Sequence, residues 1–233
     1  TSASVSYGDD RIGQDVLVIS GTATFNDKNA ATGKTVTANN LALTGTDAGN
    51  YELASTTATT QANIDKATLT ATLNAQNKIY DGNTSASVSY GDDRIGQDVL
   101  VVSGTATFND KNAATGKTVT ATGLALTGTD AGNYELASTT ATTQADIDKA
   151  TLTATITAQN KIYDGNNSAS VSYGDDRIGQ DVLVVSGTAT FSDKNAGNGK
   201  TVTATGLALT GTDAGNYELA STTATTQADI DKA

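Results

Sequence analysis

The sequence predicts an all-β protein: small β-sandwich modules in tandem, joined end to end as an elongated rod. Three observations point there. The segment Tyr-Gly-Asp-Asp-Arg starts at Tyr7, Tyr90 and Tyr173, at equal intervals along the 233-residue chain. Within a repeat, short runs alternate apolar and polar residues with period two. The stretches between those runs are rich in Gly, Asp and Asn, which favour turns. A β-grasp-like or single-layer module is the alternative arrangement for the same strand pattern.

A period of roughly 80 residues is too long for a solenoid turn and suits a small domain. The expected modules are 1–67, 68–150 and 151–233, the first lacking its opening strand. The missing strand leaves a sheet edge that another strand could fill. In the middle module the predicted strands run through Thr68–Leu73, Ala86–Tyr90, Thr105–Phe108, Lys117–Ala121 and Tyr134–Ala137. Val and Thr suit a pleated surface with one wet side. Turns are expected at Asp81–Asn83, Gly91–Asp93, Asn109–Asn112 and Thr129–Asn133. Thr122-Gly123 is Asn39-Asn40 in the first copy. Gly accepts positive φ and Asn is its usual stand-in, so this pair marks either a hairpin turn or a bulge in one strand. In both cases Val119, Ala121, Leu124 and Leu126 share the core face. The expected core of this module is Leu69, Leu73, Ile79, Val88, Val99, Val101, Phe108, Val119, Leu124, Leu126, Tyr134, Leu136 and Ile147. The junction Gln144–Ile156 has no Gly, Pro or Ser cluster, which predicts a stiff connection.

Composition removes several function classes. The chain has no Cys, His, Met, Trp or Pro, and 14 Lys+Arg stand against 25 Asp+Glu, for a net charge of −11. Thiol and imidazole catalysis, disulfides and the usual zinc ligands are therefore excluded. An acidic surface disfavours nucleic acid and anionic lipid, and no apolar run approaches the ~20 residues a membrane helix needs. The absence of Met is expected of an excerpt from a longer chain.

Leu124–Leu136 contains Asp130-Ala-Gly132-Asn-Tyr134, which resembles the E–F corner of an immunoglobulin-like sandwich. The resemblance implies a structural corner at Asp47, Gly49 and Tyr51, at Asp130, Gly132 and Tyr134, and at Asp213, Gly215 and Tyr217. In such a corner the Tyr hydroxyl bonds backbone upstream and the Gly permits the turn. A broader likeness covers the whole repeat. Lys78-Ile-Tyr-Asp-Gly82, Gly104–Phe108, Gly116–Val119 and Asp130–Tyr134 together resemble the YDG repeats of filamentous-haemagglutinin-type bacterial surface exoproteins. The same elements recur at 161–165, 187–191, 199–202 and 213–217. The resemblance implies an extracellular repeat of a bacterial surface adhesin and carries over no catalytic residues; no cofactor is expected beyond the Ca2+ weighed below.

Several side-chain groupings carry alternative readings. Asp92, Asp93 and Asp98 form the densest acidic cluster, either a paired-carboxylate or cation site or a solvated loop. Asp146 and Asp148 lie on one strand face at the module boundary, with counterparts at Asp229 and Asp231 and at Asn63 and Asp65. They offer oxygen ligands for Ca2+, or else a surface neutralised by Lys149. Lys78 with Asn133 and Glu135, and Lys161 with Asn216 and Glu218, have the residue types of an isopeptide crosslink, whose chemistry needs burial. The ordinary reading of Lys78 is an alkyl stem covering apolar surface. The expected function is a structural stalk that projects a binding tip, its partners being neighbouring modules and other fibre subunits. The runner-up is a weak binder of host or matrix glycans that gains strength from tandem copies.

Overall fold

The computed structural model describes all 233 residues and contains strands and short 3₁₀ turns but no α-helix. The first repeat supplies β1 (Ser2–Ala3), β2 (Val18–Phe25), β3 (Ala31–Thr44) and β4 (Ala58–Ile64). The second supplies β5 (Ala67–Leu69), β6 (Ala71–Ala75), β7 (Lys78–Ile79), β8 (Val88–Asp92), β9 (Val101–Phe108), β10 (Ala114–Thr127), β11 (Tyr134–Leu136) and β12 (Ala141–Asp148). The third repeats that set as β13 (Ala150–Leu152), β14 (Ala154–Ala158), β15 (Lys161–Ile162), β16 (Val171–Asp175), β17 (Val184–Phe191), β18 (Gly197–Thr210), β19 (Tyr217–Leu219) and β20 (Thr223–Asp231).

The chain forms two compact units. One holds residues 1–72, 91–103 and 123–139; the other holds 73–90, 104–122 and 140–233. In the first unit, β1-β2-β3-β4 make an antiparallel sheet, and β5 runs parallel to β11 with Leu69 opposite Leu136. In the second, β15-β20-β18-β17 form a mixed sheet in which β15 is parallel to β20, while β14 pairs with β16 and β13 with β19. The sheet of the middle repeat has the same order, β7-β12-β10-β9. The run expected as one strand over Thr68–Leu73 is divided at Thr70, whose N–H goes to the Asp93 carboxylate instead of a ladder.

The Asn39-Asn40 position is a bulge, not a hairpin turn. Residues 31–44 are one strand, and the register against β2 slips between Ser20 and Thr22. Asn40 has φ 54°, and Gly123 and Gly206 sit at 63° and 61°. The residue facing the bulge must itself be small: a Cβ on Gly21 would lie 2.6 Å from Leu41 Cδ2.

The core is built from alternate residues of the long hairpins. Val119, Ala121 and Leu124 are buried on one face of β10, as the sequence predicts. Leu69, Phe108, Tyr134 and Ile147 are buried too. Leu73, Val88, Leu126 and Leu136 are half-buried, and three expected core residues are exposed: Ile79 at 65%, Val99 at 59% and Val101 at 58%. Val99-Leu-Val-Val102 is apolar throughout and carries no phase of its own. Leu100 and Val102 point inward, in step with Ala106 and Phe108. Ile79 faces out because the residues on either side of it face in: the Lys78 ammonium lies 5.6 Å from the Phe108 ring centre, and Tyr80 is buried.

This phase is open to test by chemical denaturation. Leu100→Ala should cost about 2–5 kcal/mol, whereas Val101→Ala should cost no more than about 0.5 kcal/mol.

Candidate functional site

The side chains with the densest polar chemistry meet where one repeat abuts the next. All residues of the joint between the first and second repeats belong to the first compact unit. Those of the joint between the second and third belong to the second unit.

Each joint has a projecting part and a receiving part. The projecting part is the tip of the hairpin between β9 and β10. Asp110 accepts the Asn112 N–H at 2.8 Å and the buried Lys117 ammonium at 2.7 Å, which fixes the tip. Asp27 orders the first repeat's tip through the Asn29 N–H and Lys34, and Asp193 does the same in the third through Asn195 and Lys200. Lys28 and Lys111 extend from these tips.

The receiving part is the Tyr corner of the following repeat. Tyr217 donates its hydroxyl proton to Asp181 Oδ2 at 2.7 Å and accepts the Ile178 N–H at 2.9 Å. Asp213 Oδ2 accepts the Val182 N–H at 2.8 Å. The Tyr134 corner is wired identically to Asp98, Ile95 and Val99, and the Tyr51 corner to Asp15, Ile12 and Val16. The hydroxyl thus bonds upstream backbone, as the immunoglobulin-like resemblance implies. The shared geometry does not depend on the expected glycine, however. A Cβ on Gly49, Gly132 or Gly215 would meet nothing within 4 Å, and none of the three has positive φ. The constrained glycine lies earlier in the corner: Gly128 has φ 117°, and a Cβ there would sit 2.5 Å from the Val99 carbonyl oxygen. Gly45 and Gly211 are in the same position.

In the second joint, Lys111 Nζ reaches Asp181 Oδ1 at 2.8 Å and Asp213 Oδ1 at 3.5 Å. Ala113 N–H donates to Asn216 Oδ1 at 2.8 Å, and Asn216 Nδ2 donates to Asn112 Oδ1 at 3.3 Å. Tyr80, the residue after β7, adds a further donor: its hydroxyl is 2.7 Å from Asp181 Oδ2. Its ring packs edge-on to Tyr217 with centroids 5.5 Å apart, under the Lys111 ammonium. In the first joint the same contacts recur one repeat earlier. Lys28 bonds Asp98 at 2.6 Å and Asp130 at 3.0 Å, and Ala30 N–H donates to Asn133 at 2.8 Å. Residues 1–233 hold no counterpart of Tyr80 for that joint. A groove of about 220 Å3, lined by Lys28, Ile64, Asp65, Ile95, Asp98 and Tyr134, lies open there. The third repeat's counterpart, Tyr163, rests on no following repeat and is 39% exposed, against 2% for Tyr80.

Electrostatics follow from this geometry. Burial pushes the Asp181 carboxyl up, but hydrogen bonds from Lys111, Tyr217 and Tyr80 outweigh it and hold the group below the ordinary carboxylate range. Burial, then the bond to Asp181, pushes Tyr217 up to about 12. Lys111 is raised by its bond to Asp181, so it stays protonated. Because the folded Asp181 value is depressed, its stabilising contribution is complete above the unfolded carboxylate value of about 4. It is lost as pH falls through the lower folded value. Asp98 is likewise lowered, first by Lys28 and then by Tyr134.

The groupings singled out in the sequence are placed differently. The Asp92, Asp93 and Asp98 cluster is dispersed: Asp92 takes Arg94 through two bonds, Asp93 takes Thr70, and Asp98 belongs to the joint. Nor does the structure bring together the residues offered for calcium, Asp146, Asp148, Asp229, Asp231, Asn63 and Asp65. Asp146 and Asp229 instead accept the Gly116 and Gly199 N–H groups at 2.7 Å, as Asn63 does from Gly33 at 2.9 Å. Asp148 and Asp231 are exposed, and their backbone oxygens accept the Tyr80 and Tyr163 N–H groups. No group of three or more acidic side chains converges anywhere in the chain. The crosslink residues are kept apart as well. Lys161 is held by Asp164 and Asn166, Asn216 is engaged by the second repeat, and Glu218 is exposed. Lys78 is likewise held by Asp81 and Asn83, Asn133 serves the first joint, and Glu135 is exposed. Tyr80 and Lys111 were invisible as joint residues, because nothing within one repeat says which loops of its neighbour it meets.

A family model described as the YDG domain matches residues 1–59, 64–142 and 148–225. No curated protein and no solved structure matches the chain.

Tyr80 and Tyr163 occupy the same motif position in different surroundings, and denaturation should separate them. Tyr80→Ala should cost about 3–5 kcal/mol through the cavity it leaves. Tyr163→Ala should cost less than about 1 kcal/mol.

Proposed function

The chain belongs to the YDG-domain family, and from that premise we propose that it is a stalk segment of a secreted bacterial surface adhesin or fibre of the filamentous-haemagglutinin type. The modules hold a binding tip away from the cell and contribute no catalysis. One observation carries this reading: the same joint, made by the same side chains, occurs at both junctions, one repeat apart. A chain without Cys has no disulfides to resist load, so order between repeats rests on non-covalent joints of this kind. The acidic clusters support the reading too, since their carboxylates are taken up by backbone N–H groups, Lys, Arg and Tyr. Tyr80, Tyr134 and Tyr217 are buried, so they are withdrawn from stacking on sugars.

Two measurements check the proposal. The labelled full chain should bind neither a glycan array nor matrix proteins, and tetramerising it on a carrier should not raise the signal. Binding that climbs steeply on tetramerisation would favour the glycan reading, because avidity multiplies weak contacts by about 10²–10⁴. Antibodies to the chain should label intact cells of its source; labelling only after permeabilisation would contradict surface placement.

A further inference from the structure

The strands that open a repeat lie beside those that close it. In the third repeat the chain enters through β13, β14 and β15 and leaves through β20. Two of the entering strands run parallel to late ones: β13 to β19, with Ala150 opposite Tyr217, and β15 to β20, with Lys161 opposite Ile230. Backbone bonds lengthen both pairings, from the Ala220 N–H to the Leu152 carbonyl and from the Tyr163 N–H to that of Asp231, each at 2.9 Å. A side chain adds one more rung just before β15 begins. Asn160 Oδ1 accepts the Asp229 N–H at 2.8 Å, and Asn160 Nδ2 donates to Asp229 Oδ2 at 3.3 Å. The other oxygen of that carboxylate accepts the Gly199 N–H at 2.7 Å, which ties the rung to β18. The second repeat is built alike, with β5 parallel to β11 and β7 parallel to β12. There Asn77 accepts the Asp146 N–H at 2.8 Å and donates to Asp146 Oδ2 at 3.2 Å, and the Tyr80 N–H reaches the Asp148 carbonyl at 2.8 Å.

We propose that the second and third repeats are tension clamps, in which a pull along the chain loads the entering strands against the late ones in shear. Tension draws β15 toward the N-terminal side of its repeat and β20 toward the C-terminal side. Because the two strands are parallel, these pulls oppose each other along a common axis, and the strands part only by sliding. Sliding loads every bond of the pairing at once. An antiparallel hairpin pulled at its open end instead releases its bonds one by one. β13 is drawn off β19 in the same manner. Asn suits the added rung because its carboxamide presents a donor and an acceptor in one plane, as a peptide group does. No disulfide carries the load around the clamp, since the chain has no Cys. Forced unfolding is governed by the unfolding rate, so bonds that must break first raise resistance without requiring a large equilibrium stability. The clamp goes beyond the stalk reading: it follows from the pairing inside one repeat and does not depend on surface placement.

The test is single-molecule force spectroscopy on the full chain, with handles attached through introduced cysteines. One pair, Lys149→Cys with Ala233→Cys, pulls the third repeat along the chain. The other, Val184→Cys with Thr210→Cys, pulls at the paired open end of the β17–β18 hairpin; all four positions are exposed. The rupture force along the chain should be severalfold higher than that of the hairpin. Asn160→Ala should speed unfolding along the chain about tenfold at constant force, as expected for the loss of one or two hydrogen bonds, and leave the hairpin rupture unchanged. Circular dichroism checks that this variant keeps its β fold. The comparison of directions needs no substitution at the clamp, so it stands whether or not Asn160→Ala folds. Equal rupture forces in the two directions overturn the proposal. So does a folded Asn160→Ala chain that unfolds no faster along the chain, or that speeds both ruptures alike. None of these results bears on cell labelling or glycan binding, so failure of the clamp is distinct from failure of the stalk reading.

Discussion

A single carboxylate with donors from two repeats sets the terms for the second joint. Asp181 is 8% exposed and receives Lys111 and Tyr80 from the second repeat and Tyr217 from the third. A carboxylate withdrawn from water is costly unless its oxygens are satisfied, and removing one partner leaves the remainder of that cost. Only the abutting repeats in this relation supply all three donors. The cluster therefore contributes specificity as much as stability: a slipped or rotated contact strands the charge. Edge-on packing of Tyr80 against Tyr217 adds apolar burial to the same point.

The three corners form a graded series. At Asp15 only the local Tyr and backbone bonds are present; at Asp98 a Lys from the neighbour joins them; at Asp181 a second Tyr completes the set. The carboxylate side chain is 18% exposed at Asp98 and 7% exposed at Asp181. The local Tyr–Asp bond is the same in all three corners, whichever donors from a neighbouring repeat accompany it. The Lys-x-Tyr-Asp-Gly segment thus has a double role: its Lys and backbone stay with their own repeat, while its Tyr serves the next one. That division matches the exposures: Tyr80 is buried against the third repeat, whereas Tyr163 belongs to the last repeat within residues 1–233 and is 39% exposed.

Much of the fold was legible in the sequence. The period, the alternating runs and the turn residues predicted tandem all-β modules, and the Asn-for-Gly exchange marked residue 40 as a positive-φ position without deciding between a hairpin turn and a bulge. The phase of Val99–Val102 was not legible, because four consecutive apolar residues fit either face. Its resolution lay a few residues on, in the parity of Ala106 and Phe108. The parallel pairings of β5 with β11 and of β7 with β12 join segments from opposite ends of the repeat, and no local pattern announces them. The joint was hidden for a different reason. The copies are so nearly identical that recurrence marks every residue equally, and a contact between copies is a property of their packing. Lys111 reads as a turn lysine and Tyr80 as a strand aromatic until the neighbour is in place.

The most direct test of Asp181 as the organiser of its joint is a distance measured across that joint. The chain has no Cys, so spin labels can be introduced at Thr118 and Thr201, both exposed and at equivalent positions of successive repeats. At neutral pH the expected result is one narrow inter-label distance, which Asp181→Ala should broaden severalfold while both repeats remain β-folded. A broad distribution in the unsubstituted chain, or a distance that stays narrow without the carboxylate, would contradict that role.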